Sequence, residues 1–177
     1  MSQRIIHRTY ARPHRLIAEA LQSLIVGDLL APGQRLIIVS PWISDVPLID
    51  NRGGNFSALN STWGSTIIRL SAVLRTMLHN QTKVYIATGP DRSAVTFVRQ
   101  LKDSARRDGT DNLLTAHNAL PNPNALDHQK AIVGDDWIVH GSMNLTYRGI
   151  ELNGELVTIS NDLPHVAAVT TELISLF

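Results

Sequence analysis

The sequence contains no cysteine, few aromatic residues and no excess of either charge. Without a thiol, the chain can form no disulfide, no thiolate nucleophile and no zinc–thiolate or iron–sulfur site. Aromatic residues make up 5% of the chain, and 16 Lys and Arg oppose 15 Asp and Glu. The net charge of +1 therefore gives no overall attraction to nucleic acid. The absence of disulfides makes the cytoplasm the expected compartment.

Long hydrophobic runs are also missing. The longest unbroken apolar runs, such as 36–39, have four residues, whereas a membrane helix needs about twenty. The first fifteen residues are rich in Arg and lack the apolar centre of a secretion signal. We therefore expect no membrane partner. The length of 177 residues predicts a single domain with one sizeable core.

Two hydrophobic periods alternate along the chain. A period near 3.6 predicts helices at 14–30, 65–79, 92–107 and 162–176, and short apolar or alternating runs predict strands at 36–40, 83–88, 113–117, 129–133, 137–140 and 155–160. Two loops separate these elements, an Asn/Gly/Ser-rich stretch at 44–64 and a Pro/Asn-rich stretch at 118–127. The pattern indicates an α/β fold, with a mixed sheet flanked by helices on both faces in one domain, 1–177, in which 44–64 is a candidate insertion.

The most informative residues follow the second loop. His128 and Lys130 are two apart on a predicted strand, so their side chains point to the same face, and Ser142 and Asn144 repeat that spacing on the next segment. Lys and Asn donate hydrogen bonds to an oxyanion, and His attacks phosphorus or moves protons near neutral pH. A lone His-x-Lys or Gly-Ser is usually structural, but the ordered set favours a phosphate site.

At these positions the sequence resembles the phospholipase D superfamily, whose signature is His-x-Lys, an Asp five residues later, and Gly-Ser-x-Asn. The matching residues are His128, Lys130, Asp135, Gly141, Ser142 and Asn144, and Glu155 matches an acidic residue that follows in many members. The segments 36–43 and 83–89 also resemble strands of that family. Five residues separate Asp135 from Gly141, one fewer than is usual, so this hairpin is expected to be shorter. In the family Asp135 and Gly141 would have supporting, structural roles.

The resemblance implies a mechanism. His128 would attack phosphorus and form a phosphohistidine that water then cleaves. Lys130 and Asn144 would hold the non-bridging oxygens, whose charge grows in the transition state. Ser142 would support the phosphate or the ring, and Glu155 would accept a hydrogen bond from His128. No metal or other cofactor is implied.

The family mechanism needs two such histidines, and this chain has one motif. The resemblance therefore implies a homodimer with the active site across its interface. His117, at the end of a predicted strand, is the alternative source within one chain. Ser40 and Trp42 follow a predicted strand at the edge where ligands gather, so both are candidate substrate contacts, as is His117. Trp42 and Trp63 would either stack on bases or fill the core.

The substrate is open at this stage. A metal-independent DNA endonuclease is our first expectation, with a phosphatidyl-group hydrolase and a non-catalytic nucleic-acid-binding subunit as alternatives. The chain with its 44–64 loop also resembles the phospholipase D-like protein of bacterial gene clusters that place deazaguanine bases in DNA and restrict unmodified DNA, which implies a role in phage defence with other defence proteins. Arg99, Lys102 and Arg106 share one face of a predicted helix, which is either an ordinary solvated face or a patch for phosphates.

Overall fold

A mixed seven-stranded sheet forms the centre of the computed structural model, which describes residues 3–118 and 128–177. Its order is β1-β9-β8-β7-β2-β5-β6, and β2, β5 and β6 are parallel while the other neighbours are antiparallel. The strands are β1 (Gln3–Arg8), β2 (Arg35–Ser40), β5 (Lys83–Thr88), β6 (Leu114–His117), β7 (Ala131–Val133), β8 (Ile138–Gly141) and β9 (Glu155–Ser160). A separate hairpin pairs β3 (Pro47–Asp50) with β4 (Ile67–Arg69).

Helices cover both faces of the sheet, as the sequence predicts. The helices are α1 (Leu16–Leu30), α2 (Leu70–His79), α3 (Arg92–Asp108) and α4 (Leu163–Ile174). The first three pack on the face that contains Leu36 and Ile38, and α4 packs on the opposite face against Ile37 and Val39. The central strand β2 is therefore buried on both sides, which explains its unbroken apolar run.

The predictions for 44–64 and 65–79 are wrong in part. The predicted loop contains β3, and the predicted helix begins five residues late because Ile67–Arg69 pairs with β3 as β4. Between these strands the loop is organised around the fully buried Asn51. Its amide donates to Ser57 Oγ (3.2 Å) and to the Gly64 carbonyl (3.0 Å), and its Oδ1 accepts from Phe56 N (2.7 Å). The segment is thus a structured excursion from the sheet.

The remaining predicted elements are confirmed to within one or two residues. The strands at Lys83–Thr88 and Glu155–Ser160 match the prediction at both ends. Helix α3 begins with Asp91 as its N-cap, which accepts from the backbone of Ser93 and Ala94, and ends at Gly109 with φ +68°. The predicted loop at 118–127 falls, apart from its first residue, outside the described residues. In both described ranges, no helix is long and apolar enough to cross a membrane.

Candidate active site

Except for Asp135, the signature residues lie at one edge of the sheet, on or directly next to the ends of three neighbouring strands, β7, β8 and β9. Backbone bonds fix their register, since Gly141 N donates to the Lys130 carbonyl (3.3 Å) and Ser142 N donates to the Leu156 carbonyl (3.1 Å). The carboxyl ends of β2 and β8 and the amino ends of β7 and β9 meet at this edge. The fold therefore brings together residues that are almost thirty positions apart in the sequence.

His128 and Lys130 contact each other directly. Lys130 Nζ lies 2.8 Å from His128 Nδ1 and donates to the His128 carbonyl at 2.7 Å. Lys130 is 9% exposed, whereas His128 is exposed to solvent. Because an ammonium group only donates, Nδ1 accepts here, and the neutral ring then carries its proton on Nε2. A buried cation beside an exposed imidazole is an arrangement that suits an anionic substrate.

Ser142 and Glu155 form a second pair. Ser142 Oγ donates to Glu155 Oε2 and accepts from Leu156 N (3.0 Å), and Glu155 Oε1 lies 3.5 Å from Asn153 Nδ2. The resemblance implies that Glu155 accepts from His128, and this pairing is not what the structure shows. His128 Nδ1 is in contact with Lys130 Nζ, and the buried Glu155 accepts a hydrogen bond from the hydroxyl of Ser142.

Asn144 lies two residues after Ser142, on the segment that follows β8. Its Oδ1 is buried and has no hydrogen-bond partner in the described parts of the chain. A Cβ on Gly149 would collide with the Asn144 carbonyl, so this glycine allows the π-helical turn Arg148–Leu152 to pack closely on Asn144. The fold thus holds Asn144 firmly and leaves its amide uncommitted.

Ser40 has a supporting position, although the sequence made it a candidate substrate contact. It is 2% exposed, donates to the Trp42 carbonyl (2.8 Å) and accepts from Leu145 N (3.0 Å). The bond from Leu145 N joins the end of β2 to the segment that carries Asn144, and the bond to Trp42 fixes the turn that follows β2. We therefore assign Ser40 to positioning.

Of the two tryptophans that are candidate base contacts in the sequence, one lies at the surface and the other lies in the core. Trp42 is 44% exposed, and its ring meets the His128 ring edge-on with centroids 5.6 Å apart. Trp63 is 7% exposed and belongs to the main core. Of these two rings, that of Trp42 is the one exposed beside His128.

The other histidines are not brought to His128. His117 ends β6, three strand positions from β7, and its ring lies 5.8 Å from that of Phe177. His140 is paired with Ala131 across β7 and β8, so its side chain lies on the face of the sheet that α4 covers. Its ring lies there 5.8 Å from that of His165. Burial and the nearby His165 lower the pKa of His140. Within one chain, His117 therefore does not contact His128.

Asp135 and Gly141 have local structural roles. Asp135 lies in the β7–β8 turn, at the opposite end of the sheet, where it accepts from Gln34 N (2.5 Å) and Arg35 Nε (3.2 Å). Regular pairing continues on both sides of this turn, so the missing residue leaves the register of Lys130 intact. Gly141 has φ +146°, and a Cβ there would collide with the Leu156 carbonyl. The glycine therefore lets the end of β8, directly before Ser142, lie close to β9.

Sequence reasoning missed Arg8. This residue is 1% exposed and donates to the carbonyls of Asn153 (2.6 Å), Gly149 (2.5 Å) and Ile150. It therefore fixes the turn between Asn144 and Glu155 from the neighbouring strand β1. The available signal is its spacing, since Arg8 alternates in phase with the buried Ile6.

In the described ranges, no cluster of three or more His, Asp or Glu side chains is placed to hold a metal ion. A family model described as "Cardiolipin synthase, PLD-like domain" matches residues 67–177, which is more than half of the chain. The chain belongs to the phospholipase D family. Family membership supports a phosphodiester as the bond on which this phospholipase D-like protein acts. A search of curated protein sequences gave no significant match.

Solved structures share the fold at low sequence identity. Nuc from Salmonella typhimurium, a phospholipase D family member, is 9% identical with a TM-score of 0.58, and the match covers 99% of this chain and 93% of Nuc. The phosphatidylserine synthase of Haemophilus influenzae is 16% identical (TM-score 0.62, 98% of this chain and 38% of that chain). TrmBL2, an archaeal chromatin protein that binds DNA, is 10% identical (TM-score 0.53, 99% and 51%). These likenesses establish the phospholipase D-like fold.

Proposed function

We propose that this phospholipase D-like protein is a metal-independent DNA endonuclease that works through a phosphohistidine on His128. The observation that carries the proposal is the contact between Lys130 Nζ and His128 Nδ1, beside the Ser142–Glu155 pair. A buried cation, an imidazole and an uncommitted amide at one exposed edge supply a nucleophile and two groups for phosphate oxygens. DNA is favoured over lipid because Trp42 offers an exposed ring to a base directly beside His128.

The first step breaks the bond from phosphorus to the leaving oxygen. Since Nδ1 faces Lys130, Nε2 is the ring nitrogen that remains for phosphorus, and it attacks only when its lone pair is free. Substrate phosphate draws Lys130 Nζ onto its non-bridging oxygens and frees Nδ1. Because His128 is exposed, solvent water takes the proton from Nε2 and returns one to Nδ1. Nε2 then forms the P–N bond, and a second histidine gives its proton to the leaving oxygen.

The second step restores the enzyme. Water attacks the phosphohistidine, and the second histidine, now neutral, accepts the proton of that water. The P–N bond breaks, and its electron pair returns to Nε2. Lys130 and Asn144 stabilise the charge on the same non-bridging oxygens in both steps. The atoms and protons balance without a metal.

The second histidine comes from a second copy of the chain. The other six histidines of this sequence all lie in described parts of the structure, and none is in contact with His128. A two-fold dimer that joins two such edges would place two His128 side chains in one site. Leu156 supports this arrangement, because it is 51% exposed and adjoins both Ser142 and Glu155.

The decisive experiment is cleavage of labelled single- and double-stranded DNA in EDTA by the wild type and by His128→Ala. His79→Ala is the matched control, since His79 is exposed on α2 far from this edge. Cleavage by the wild type and the control, with none by His128→Ala, supports the proposal. Equal cleavage by His128→Ala, or a strict requirement for a divalent metal, overturns it. Hydrolysis of phosphatidyl lipid vesicles with no cleavage of DNA identifies a phospholipase, and DNA binding without turnover identifies a non-catalytic subunit.

We further propose that the nuclease acts in defence against phage, together with other proteins of a restriction system. This part rests on the resemblance to the protein of deazaguanine clusters. Its test is a plaque assay on cells that carry the complete gene cluster. Protection that disappears with His128→Ala and persists with His79→Ala supports the role, and protection that persists with both variants contradicts it.

A further inference from the structure

A narrow basic stripe runs along the exposed side of α3. Arg92, Arg99 and Arg106 are exposed, and Lys102 is half-buried. At about 100° per residue these four side chains fall within an arc of about 80°. The opposite side of the helix, with Phe97 and Leu101, is buried in the core, so the stripe cannot turn inward.

Little negative charge opposes this stripe. Asp103 lies on the same side and pairs with Arg106 at 3.0 Å. No carboxylate of the described residues lies within 4 Å of the charged groups of Arg92, Arg99 or Lys102. Three cations therefore have no ion pair among the described residues, on a protein whose net charge is only +1. The even overall charge conceals a local concentration.

The stripe begins at the edge of the sheet that carries the candidate active site. Strands β2 and β5 are parallel, so their carboxyl ends share one edge, and Gly89 N donates to the Pro41 carbonyl there (3.0 Å). Ser93 Oγ in the first turn of α3 donates to the Ile43 carbonyl (3.4 Å). Ile43 directly follows Trp42, whose ring contacts His128. A short chain of contacts thus connects the start of the stripe with the proposed nucleophile.

The length of the stripe fits a polymer. Arg92 and Arg106 are fourteen residues apart, which corresponds to about 21 Å along the helix axis. Phosphates of one DNA strand repeat about every 3.4 Å along the duplex axis, so this distance covers about six nucleotides. A single phosphodiester headgroup bound at His128 would not reach Arg99 or Lys102. A membrane surface would favour large apolar residues among the cations, and the stripe has only Val95.

We propose that this α3 stripe is an electrostatic track for a nucleic-acid backbone, which holds the strand beyond the bond that is cleaved. The inference rests on the proposed nuclease function and deepens it. Arg99 and Lys102 make sequence-independent phosphate contacts that raise the affinity for long substrates. They contribute nothing to the chemistry at His128, and their effect depends on salt.

The test uses binding in the His128→Ala background, so that it does not depend on cleavage. The full chain carrying Arg99→Gln and Lys102→Gln is compared with its parent on a labelled 30-base-pair duplex over a series of salt concentrations. The control carries Arg4→Gln and Lys83→Gln, two exposed residues at the end of the sheet away from the candidate site, with the same loss of charge. Circular dichroism verifies that each variant is folded.

We expect the stripe variant to bind the duplex at least about tenfold more weakly at moderate salt. Two lost phosphate contacts reduce the slope of log affinity against log salt by about 1.8. The control keeps the affinity and slope of its parent. In the otherwise wild-type chain, turnover of a small chromogenic phosphodiester remains unchanged, while kcat/KM for DNA falls.

Three results would overturn the inference. The stripe variant could bind as tightly as its parent with the same salt slope, or the control could lose as much affinity as the stripe variant. The stripe substitutions could also abolish binding to vesicles of phosphatidylserine and phosphatidylcholine without any effect on DNA binding, which would identify a membrane surface. If the wild type cleaves no DNA but the stripe variant loses affinity as expected, the nuclease proposal fails and the track remains.

Discussion

Lys130 Nζ lies 2.8 Å from His128 Nδ1, so the buried cation of the site directly contacts the proposed nucleophile. In the proposed mechanism this contact gives Lys130 two tasks. It keeps the ring in the form with the proton on Nε2, and it releases the ring when a phosphate attracts its ammonium group. Attack by His128 is then coupled to occupancy of the phosphate site.

Replacement of Lys130 by Met should remove both tasks and preserve the packing of its buried stem. We expect kcat to fall by about 10²- to 10³-fold, as on loss of one oxyanion donor, with little change in the free energy of unfolding. Initial rates on DNA and urea unfolding check the two parts. Lys83→Met, at an exposed position on β5, is the control. A Lys130→Met variant as active as the control would exclude the assigned role.

The Ser142–Glu155 pair predicts an asymmetry between two substitutions. Ser142→Ala leaves a buried carboxylate without its hydroxyl donor and should lower the free energy of unfolding by about 1–3 kcal/mol. Glu155→Gln retains an acceptor for the Ser142 hydroxyl, so it should cost less. In the double variant the losses should not add, because the pair is already broken. Additive losses in urea unfolding would mean that the two side chains are energetically independent.

Substitution of Arg8 should strongly lower the free energy of unfolding, although Arg8 has no part in the proposed chemistry. Arg8→Met leaves two buried carbonyls and one half-buried carbonyl without their donor, and we expect a loss of about 2–4 kcal/mol in the free energy of unfolding. The exposed Arg12→Met should stay within about 0.5 kcal/mol of the wild type. Chemical denaturation measures both variants. Equal stability of the two would show that the clamp on the Arg148–Leu152 turn is dispensable.

The raised pKa of Asp28 predicts that its contribution to the free energy of unfolding depends on pH. Burial, with smaller contributions from Asp136 and Asp135, raises the pKa of Asp28 to about 6, although Trp137 Nε1 donates to it at 3.0 Å. The folded state therefore holds the proton more tightly than the unfolded state does. The associated stability is complete below about pH 4 and is lost as the pH rises through about 6.

Asp28→Asn keeps the acceptor for Trp137 and removes the charge. Two pKa units correspond to about 3 kcal/mol at most, and partial exposure of the carboxyl reduces this to about 1 kcal/mol. The free energy of unfolding of the variant should be higher than that of the wild type by this amount at pH 8 and equal to it near pH 4. Urea unfolding at both pH values measures the difference. A difference that is the same at both pH values would contradict the raised pKa.

The sequence predicted those features that local patterns determine. The strand at Lys83–Thr88 and helix α3 follow from hydrophobic period, cap and stop residues, so their bounds are confirmed within a residue. The hairpin of β3 and β4 was missed because its strands have three and four residues and pair across a loop ordered by Asn51. Such pairing depends on tertiary contacts that no local window contains.

The candidate site shows the same division. The spacing of His128 and Lys130 predicted that their side chains share a face, and Lys130 Nζ lies 2.8 Å from His128 Nδ1. That Ser142 and Asn144 act with them stays a prediction. The partner of Glu155 could not be predicted, since the choice between His128 and Ser142 depends on distances set by Gly141 and the β8–β9 register. Arg8 was counted with the basic N-terminal residues because charge alone does not reveal burial.

The measurement that tests the central claim most directly is capture of the covalent intermediate. The wild type and His128→Ala are mixed with end-labelled DNA in EDTA, quenched at alkaline pH, where phosphohistidine persists, and analysed by peptide mass spectrometry. The account predicts a nucleotide adduct on the peptide with His128 in the wild type and none in the variant. An adduct on another residue, or DNA cleavage in EDTA by a His128→Ala protein as fast as by the wild type, would contradict it.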